Sequence, residues 1–153
     1  MALKPLKRHE ALKPLSREHH HGLLLSWKIR TGFNKNIAIS RIKTYADWFY
    51  KTHLIPHFEL EETEIFTLLP PNHSSIIKVM EDHKRLHHLF TEEPDMQTAL
   101  IAIEKELDDH IRFEERVLFP EIQKVATEAQ LLHIEKIHQP EAFQDNLDDE
   151  FWR

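Results

Sequence analysis

Cysteine is absent from the 153 residues, which excludes disulfide frameworks, thiolate zinc sites, Cys-ligated iron–sulfur clusters and cysteine nucleophiles together. Any metal must be held by nitrogen and oxygen. Glycine and proline are scarce, 2 and 8 residues, well below the roughly 12% of average usage, and so few turn residues argue against a β-sandwich or barrel. The net charge is −6, and the only basic cluster, Lys4 to Arg8 with Lys13, is short, so nucleic acid is not an expected partner. No apolar stretch approaches the roughly 20 residues that span a bilayer, and no signal-peptide core is found at the start. No membrane partner and a cytoplasmic location are therefore expected.

What is present is 41% hydrophobic and 30% charged residues, the composition of one helical domain able to close a single core. Residues 1–15 carry Pro5 and Pro14 and read as an extended arm. Ser16 then offers an N-cap to a first helix with Leu23, Leu24 and Trp27, running to about Arg30 with Gly32 as its stop. A second and longest pattern holds Ile37, Ile42, Tyr45, Trp48, Phe49, Leu60 and Ile65 and ends at Pro70-Pro71, with Pro56 inside it as the expected site of a kink. Ser74 or Ser75 starts a third helix with Ile77, Met80, Leu86 and Phe90. A fourth begins near Asp95 and carries Ala99, Ile103, Leu107, Ile111 and Leu118 toward Pro120. Thr127 with Gln130 resembles a capping box for a short last helix. The spacing predicts an all-α, up-down-up-down antiparallel four-helix bundle over residues 16–123, followed by a short C-terminal helix and tail over 124–153.

The chain also has 13 histidines, and their positions carry chemistry. From His57 it reads HFELEETEIF, and from His110 it reads HIRFEERVLF. Histidine, Glu+4, Glu+5, an aliphatic at +8 and Phe+9 all match, so two helices are chemical copies. Positions i and i+4 share a helix face about 6 Å apart along the axis, which aims His57 with Glu61 at one point and His110 with Glu114 likewise. The third helix offers His83 and His87, again at i,i+4. In the first, His20 is in phase with Leu23, Leu24 and Trp27, which favours it over His19 and His21 as the inward residue.

Any one of these pairs is more often a solvated helix-face pair than a ligand set. Four helices pointing imidazoles and carboxylates at one interior is a different matter, because burying them without partners costs several kcal/mol and needs a compensating charge. Five imidazoles and two carboxylates able to bridge suit two cations better than one, with iron, manganese or zinc matching the donors and one coordination position left free. His53, one turn before His57, stands as an extra ligand or a donor behind the ligands. Glu62 and Glu115 are alternative carboxylates that a local π turn brings inward.

With RHEALKPLSREHHHGLLL, HFELEE, EDHKRLHH and HIRFEERVLFP in this order, residues 8–122 or so resemble the hemerythrin-like family, also called the HHE cation-binding domain. That resemblance implies a four-helix bundle holding a non-haem di-iron centre, two iron ions that are oxo- or hydroxo-bridged when oxidised. His57 with Glu61, His83 with His87, His110 with Glu114 and one histidine of the 19–21 run match. Many members place an acidic residue before the first ligand, which suggests His19; the H-x-x-L pattern suggests His20, the residue favoured by phase. Oxygen-carrying hemerythrins place an Asp five residues after the last histidine, whereas here a Glu stands at four and another, Glu115, at five. This departure resembles the bacterial and iron-sensing branches more than the oxygen carriers.

The leading expectation is a di-iron protein binding a small oxidant, oxygen, nitric oxide or peroxide, for sensing, storage or stress protection. Here His20 and His57 serve one iron, His83, His87 and His110 the other, and Glu61 and Glu114 bridge them. One alternative is a redox enzyme on the same centre, a peroxidase, nitric-oxide reductase or iron-centre repair factor. Another is a metal-free helical interaction module with its histidines on outer faces.

Overall fold

The computed structural model describes residues 7–153 and is all-helical, with no strand among them. Met1–Leu6, with Lys4 and Pro5 of the expected arm, lie outside the described residues. A 3-10 turn over Glu10–Leu12 leads into α1 (Lys13–Asn34), followed by α2 (Ile39–Phe49), α3 (Ile55–Leu60), α4 (Ser74–Thr91), α5 (Met96–Phe113), α6 (Phe119–Val125) and α7 (Glu128–Ile137). π turns over Tyr50–Leu54, Glu61–Ile65 and Glu114–Leu118 join α2 to α3, extend α3 and join α5 to α6. The second and fourth sequence patterns are therefore nearly continuous helical runs interrupted by wide turns. No helix among the described residues is long and apolar enough to cross a membrane.

The ends show how local chemistry set these boundaries. α1 starts before Ser16, with Pro14 in its first turn, where a missing N–H costs nothing; the side-chain cap is one turn earlier, on the 3-10 turn, where His9 Nδ1 accepts from the Ala11 N–H. Helix therefore replaces extended arm from Glu10 onward. α1 also runs past Arg30. Its stop is Asn36, at φ 56°, a left-handed position that asparagine tolerates, while Gly32 lies inside the helix. A Cβ on Gly32 would stand 2.7 Å from Ile42 Cδ1 and 2.9 Å from Phe151 Cε1, so glycine serves close packing here rather than termination. The other starts follow the sequence: α4 at Ser74, α5 capped by Asp95, and α7 by the reciprocal Thr127–Gln130 box.

Pro56 and Pro120 each follow two residues after a π turn. A wide turn makes room for a proline ring and tolerates the absent N–H better than an unbroken α-helix. The interruption expected at Pro56 is thus a change of helical pitch spread over Tyr50–Leu54.

Apolar residues gather in two cores, one around Leu25, Phe49, Phe58, Leu86 and Ile111, the other around Leu15, Ile65, Val79, Leu118 and Phe119. Buried polar side chains separate them on every long segment. The order reads Leu15, His19, Leu25; then Phe58, Glu61, Ile65; then Val79, His83, Leu86; then Ile111, Glu114, Leu118. From one segment to the next the two cores are met in the opposite order.

The tail is docked. Phe151 is 1% exposed within the first core. Lys28 Nζ donates to Tyr45 Oη and to Asp145 Oδ2, both at 2.7 Å, while lying 3.9 Å from the centre of the Trp152 ring.

Candidate metal centre

The two HxxxEE copies take the same backbone form. His57 and Glu61 span the end of α3 and the first residue of one π turn; His110 and Glu114 span the end of α5 and the first residue of another. A π turn separates successive side chains by a smaller angle than an α turn. Each turn therefore lets two consecutive glutamates work on the same centre. α1 approaches α5 closely at Gly22, where a Cβ would stand 2.6 Å from Ile111 Cδ1, and this brings His19 to the second copy.

His19, His57, Glu61 and Glu114 form one buried set whose ligand atoms all lie within 4.8 Å of one another; Glu61, His83, His110 and Glu114 form another. The two carboxylates are common to both sets and fully buried. Glu61 Oε1 lies 3.2 Å from His57 Nε2 and 3.3 Å from His83 Nε2, with Glu61 Oε2 3.7 Å from His19 Nε2. Glu114 Oε1 lies 3.1 Å from His19 Nε2 and 3.0 Å from His110 Nε2. Each acid thus faces imidazoles of both sets, the disposition of a carboxylate shared between two cations.

The outer ring nitrogens are equally ordered. His19 Nδ1 donates to Glu115 (2.7 Å), His57 Nδ1 to Glu18 (2.6 Å), His83 Nδ1 to Glu62 (2.9 Å) and His110 Nδ1 to Asp82 (2.9 Å). A carboxylate acceptor fixes the Nδ1–H tautomer, leaves the Nε2 lone pair directed inward and raises its basicity. Ser16 holds Glu115 from the other side, and Lys78 holds Asp82.

Inside, the polar atoms lack such partners. His57, His83 and His110 Nε2, both Glu61 oxygens and Glu114 Oε2 are buried with no hydrogen-bond partner. Leaving buried donors or acceptors unmet costs about 1–3 kcal/mol each, and here six converge. Nitrogen and oxygen donors of this kind fit divalent or trivalent cations of the iron, manganese or zinc type.

Electrostatics agree with that arrangement. Burial disfavours the charged forms of His57 and His83, but the facing carboxylates, Glu61 with Glu18 and Glu61 with Glu62, outweigh it and hold both at about 9. His19 and His110 are pushed up for the same reason. Burial also opposes ionisation of Glu61, yet the His57 charge holds its carboxyl well below the ordinary range; Glu18, between His138 and His57, is held at about 2. The pocket favours carboxylates together with positive charge, carried by protons or by cations.

Of the residues expected from sequence, His57, Glu61, His83, His110 and Glu114 converge. His20 and His87 do not. His20 is exposed, and the inward member of the run is His19. The stripe is Leu15, His19, Gly22, Ser26 and Ile29, one residue out of phase with the apolar Leu23, Leu24 and Trp27, of which Trp27 is 44% exposed. His87 is exposed on α4, its Nδ1 accepting from Tyr50 Oη at 2.6 Å, so four imidazoles rather than five face the centre. His53 packs against Trp48 and Phe143, with Nε2 3.3 Å from the Gln144 carbonyl. Glu62 and Glu115 do turn inward, but to histidine Nδ1 atoms.

Glu18 and Asp82 were missed as acceptors. Their signal is a second level of the repeat: an acid directly before the inner histidine of α1 and of α4, and an acid directly after each HxxxE. Comparison with known proteins found no matching family, no similar curated protein and no similar solved structure.

Proposed function

We propose that the chain is a non-haem di-iron protein of the hemerythrin-like kind, an antiparallel up-down-up-down four-helix bundle whose centre binds a small oxidant such as oxygen, nitric oxide or peroxide. The observation that carries this reading is the pair of His2Glu2 sets sharing Glu61 and Glu114, with all four Nδ1 atoms on carboxylates. The alternating order of the two cores along the four segments supports the antiparallel arrangement.

His19 and His57 would hold one ion, His83 and His110 the other, with Glu61 and Glu114 bridging. Four protein donors per ion, two of them shared, leave room for an exogenous ligand on a cation that prefers five or six. Iron there would supply reversible electron transfer and the capacity to take a diatomic or anionic ligand. The chain's own part is to fix the tautomers, supply negative charge against the cations and exclude water with the Phe58 and Phe119 rings, stacked on His83 at 3.9 Å and on His19 at 5.4 Å.

Buried Nε2 atoms argue against the metal-free interaction module, which needs these histidines on outer faces. Metal analysis of protein produced with iron should give about two ions per chain, and azide should change the visible absorption of the oxidised protein. A folded wild-type chain that refuses iron, manganese and zinc alike would sink the reading.

A further inference from the structure

One helical turn beyond His83, His87 is a histidine that the centre leaves over. It is exposed, and its Nδ1 accepts a 2.6 Å hydrogen bond from the Tyr50 hydroxyl. With Nδ1 as acceptor, the neutral ring carries its hydrogen on Nε2. The phenol behind that bond is 4% exposed and stacked on Phe90, with ring centres 4.3 Å apart. Burial first, and then the Glu62 charge, oppose ionisation of the phenol, so Tyr50 is held as a neutral O–H donor to a base.

Tyr50 and His87 line a groove of about 520 Å³ together with Phe58, Met80 and His83. The Phe58 ring is stacked on His83 at 3.9 Å, so the phenol–imidazole pair and a ring in contact with an inner imidazole face the same space. An electron, unlike a ligand, needs proximity to the centre rather than an open passage. Tyr50 precedes His57 by seven residues on one helical run, roughly 10 Å of rise. Tyr45, the other tyrosine, precedes it by twelve, roughly 18 Å, and its hydroxyl is fixed between Lys28 and Asp145.

A phenol that loses an electron becomes a strong acid, so its oxidation is easiest where a base already holds the proton within hydrogen-bond reach, about 2.6–3.2 Å. We propose that Tyr50 is a redox-active residue that gives electrons one at a time to the centre when hydrogen peroxide is the oxidant, its hydroxyl proton moving to His87 Nδ1. This rests on the di-iron reading above. In each step the phenolic O–H bond breaks and an N–H bond forms on His87, leaving a neutral phenoxyl and an imidazolium that passes one proton to solvent from its exposed edge. A one-electron reductant of the ascorbate class returns a hydrogen atom to the phenoxyl oxygen. Two such steps supply two electrons and two protons, which convert one peroxide to two waters and leave two ascorbate radical anions.

Electron paramagnetic resonance of the full iron-loaded chain, frozen after mixing with hydrogen peroxide, tests this. Wild type should show a phenoxyl signal. Tyr50→Phe should hold the same iron and lose the signal. His87→Gln, which keeps a hydrogen-bond acceptor but removes the base, should form the radical about 10²-fold more slowly, the low end of what a positioned base contributes; it decides the matter if Tyr50→Phe does not fold. A wild-type chain that holds iron and gives no phenoxyl overturns the inference and leaves the metal reading standing, as does an unchanged signal in either variant. The pair is also read without metal: one-electron oxidation of the chelator-treated chain by azide radicals in pulse radiolysis should give less phenoxyl in both variants than in wild type, and equal yields in all three overturn the role of His87. A wild-type chain that takes up no iron overturns the metal reading and electron donation with it.

Discussion

Each inner histidine is a two-sided residue, with Nε2 toward the centre and Nδ1 on an acid. Removing the acid without its bulk separates the two functions. Glu115→Gln and Asp82→Asn should lower cation affinity about 10–100-fold while leaving the stoichiometry unchanged, as read by competition with a chelator; unchanged affinity would show that the acceptors only fill space. His19→Ala should lose metal where His20→Ala keeps it, since only His19 is buried. The acids also fix a pH dependence. His57 and His83, ordinarily near 6.5, sit at about 9 in the folded chain. Because the folded values are raised, their stabilisation is full below about 6.5 and disappears as pH climbs through 9. Chelator-treated protein should therefore lose thermal stability between these limits while its apparent affinity for cations grows, because metal displaces the same protons. A stability that is flat or rising across that window in calorimetry would contradict imidazoles facing carboxylates. At this scale the repeat made four of the six inner residues legible, and the His83–His87 spacing a fifth. The sixth was hidden because HHHGLLL offers apolar neighbours to every phase, and only the packing at Gly22 selects one.

Element geometry turns a short repeat into a site. A regular helix through HxxxEE would aim the two consecutive glutamates at different surroundings, and the π turns beginning at Glu61 and Glu114 let both serve imidazoles. Helix type and the long apolar stripes were legible from periodicity, as was the capping box at Thr127. The π turns were legible only as a possibility, because they answer to demands from other helices: the histidines they reach come from α1 and α4. The end of α1 was misread at Gly32 for a related reason, since glycine also marks places where another element comes close. That difference is testable. Gly32→Ala removes a poor helix former but forces Ile42 and Phe151 aside. Overpacking of this kind costs about 1–3 kcal/mol, against roughly 1 kcal/mol of helix propensity gained. The variant should be less stable than wild type in denaturant titration and should keep its metal stoichiometry; a gain in stability would mean that the tail yields without cost.

At the scale of the whole molecule, the chain has divided its hydrophobic core in two and placed a layer of imidazoles and carboxylates between the halves. Neither half is isolated, because each long segment passes through both and through the layer between them. Whatever occupies the layer therefore acts on the stability of the entire domain. Protons can neutralise it in part, but they cannot satisfy Nε2 atoms and carboxylate oxygens that face one another without hydrogen-bond geometry. Cations can, from several directions at once. Binding to the folded state alone stabilises it by about 2.7 kcal/mol for each ion held at a hundred times its dissociation constant. For a domain of this size, each kcal/mol moves the midpoint by roughly 2–4 °C, so a single ion at that excess should raise the melting temperature by about 5–11 °C. The rise should grow with free cation concentration. It should vanish in the double variant Glu61→Gln, Glu114→Gln, which keeps the side-chain volume but gives up both shared carboxylates. Persistence of the full shift in that variant would place the cation elsewhere on the molecule and leave the polar layer without its fastening.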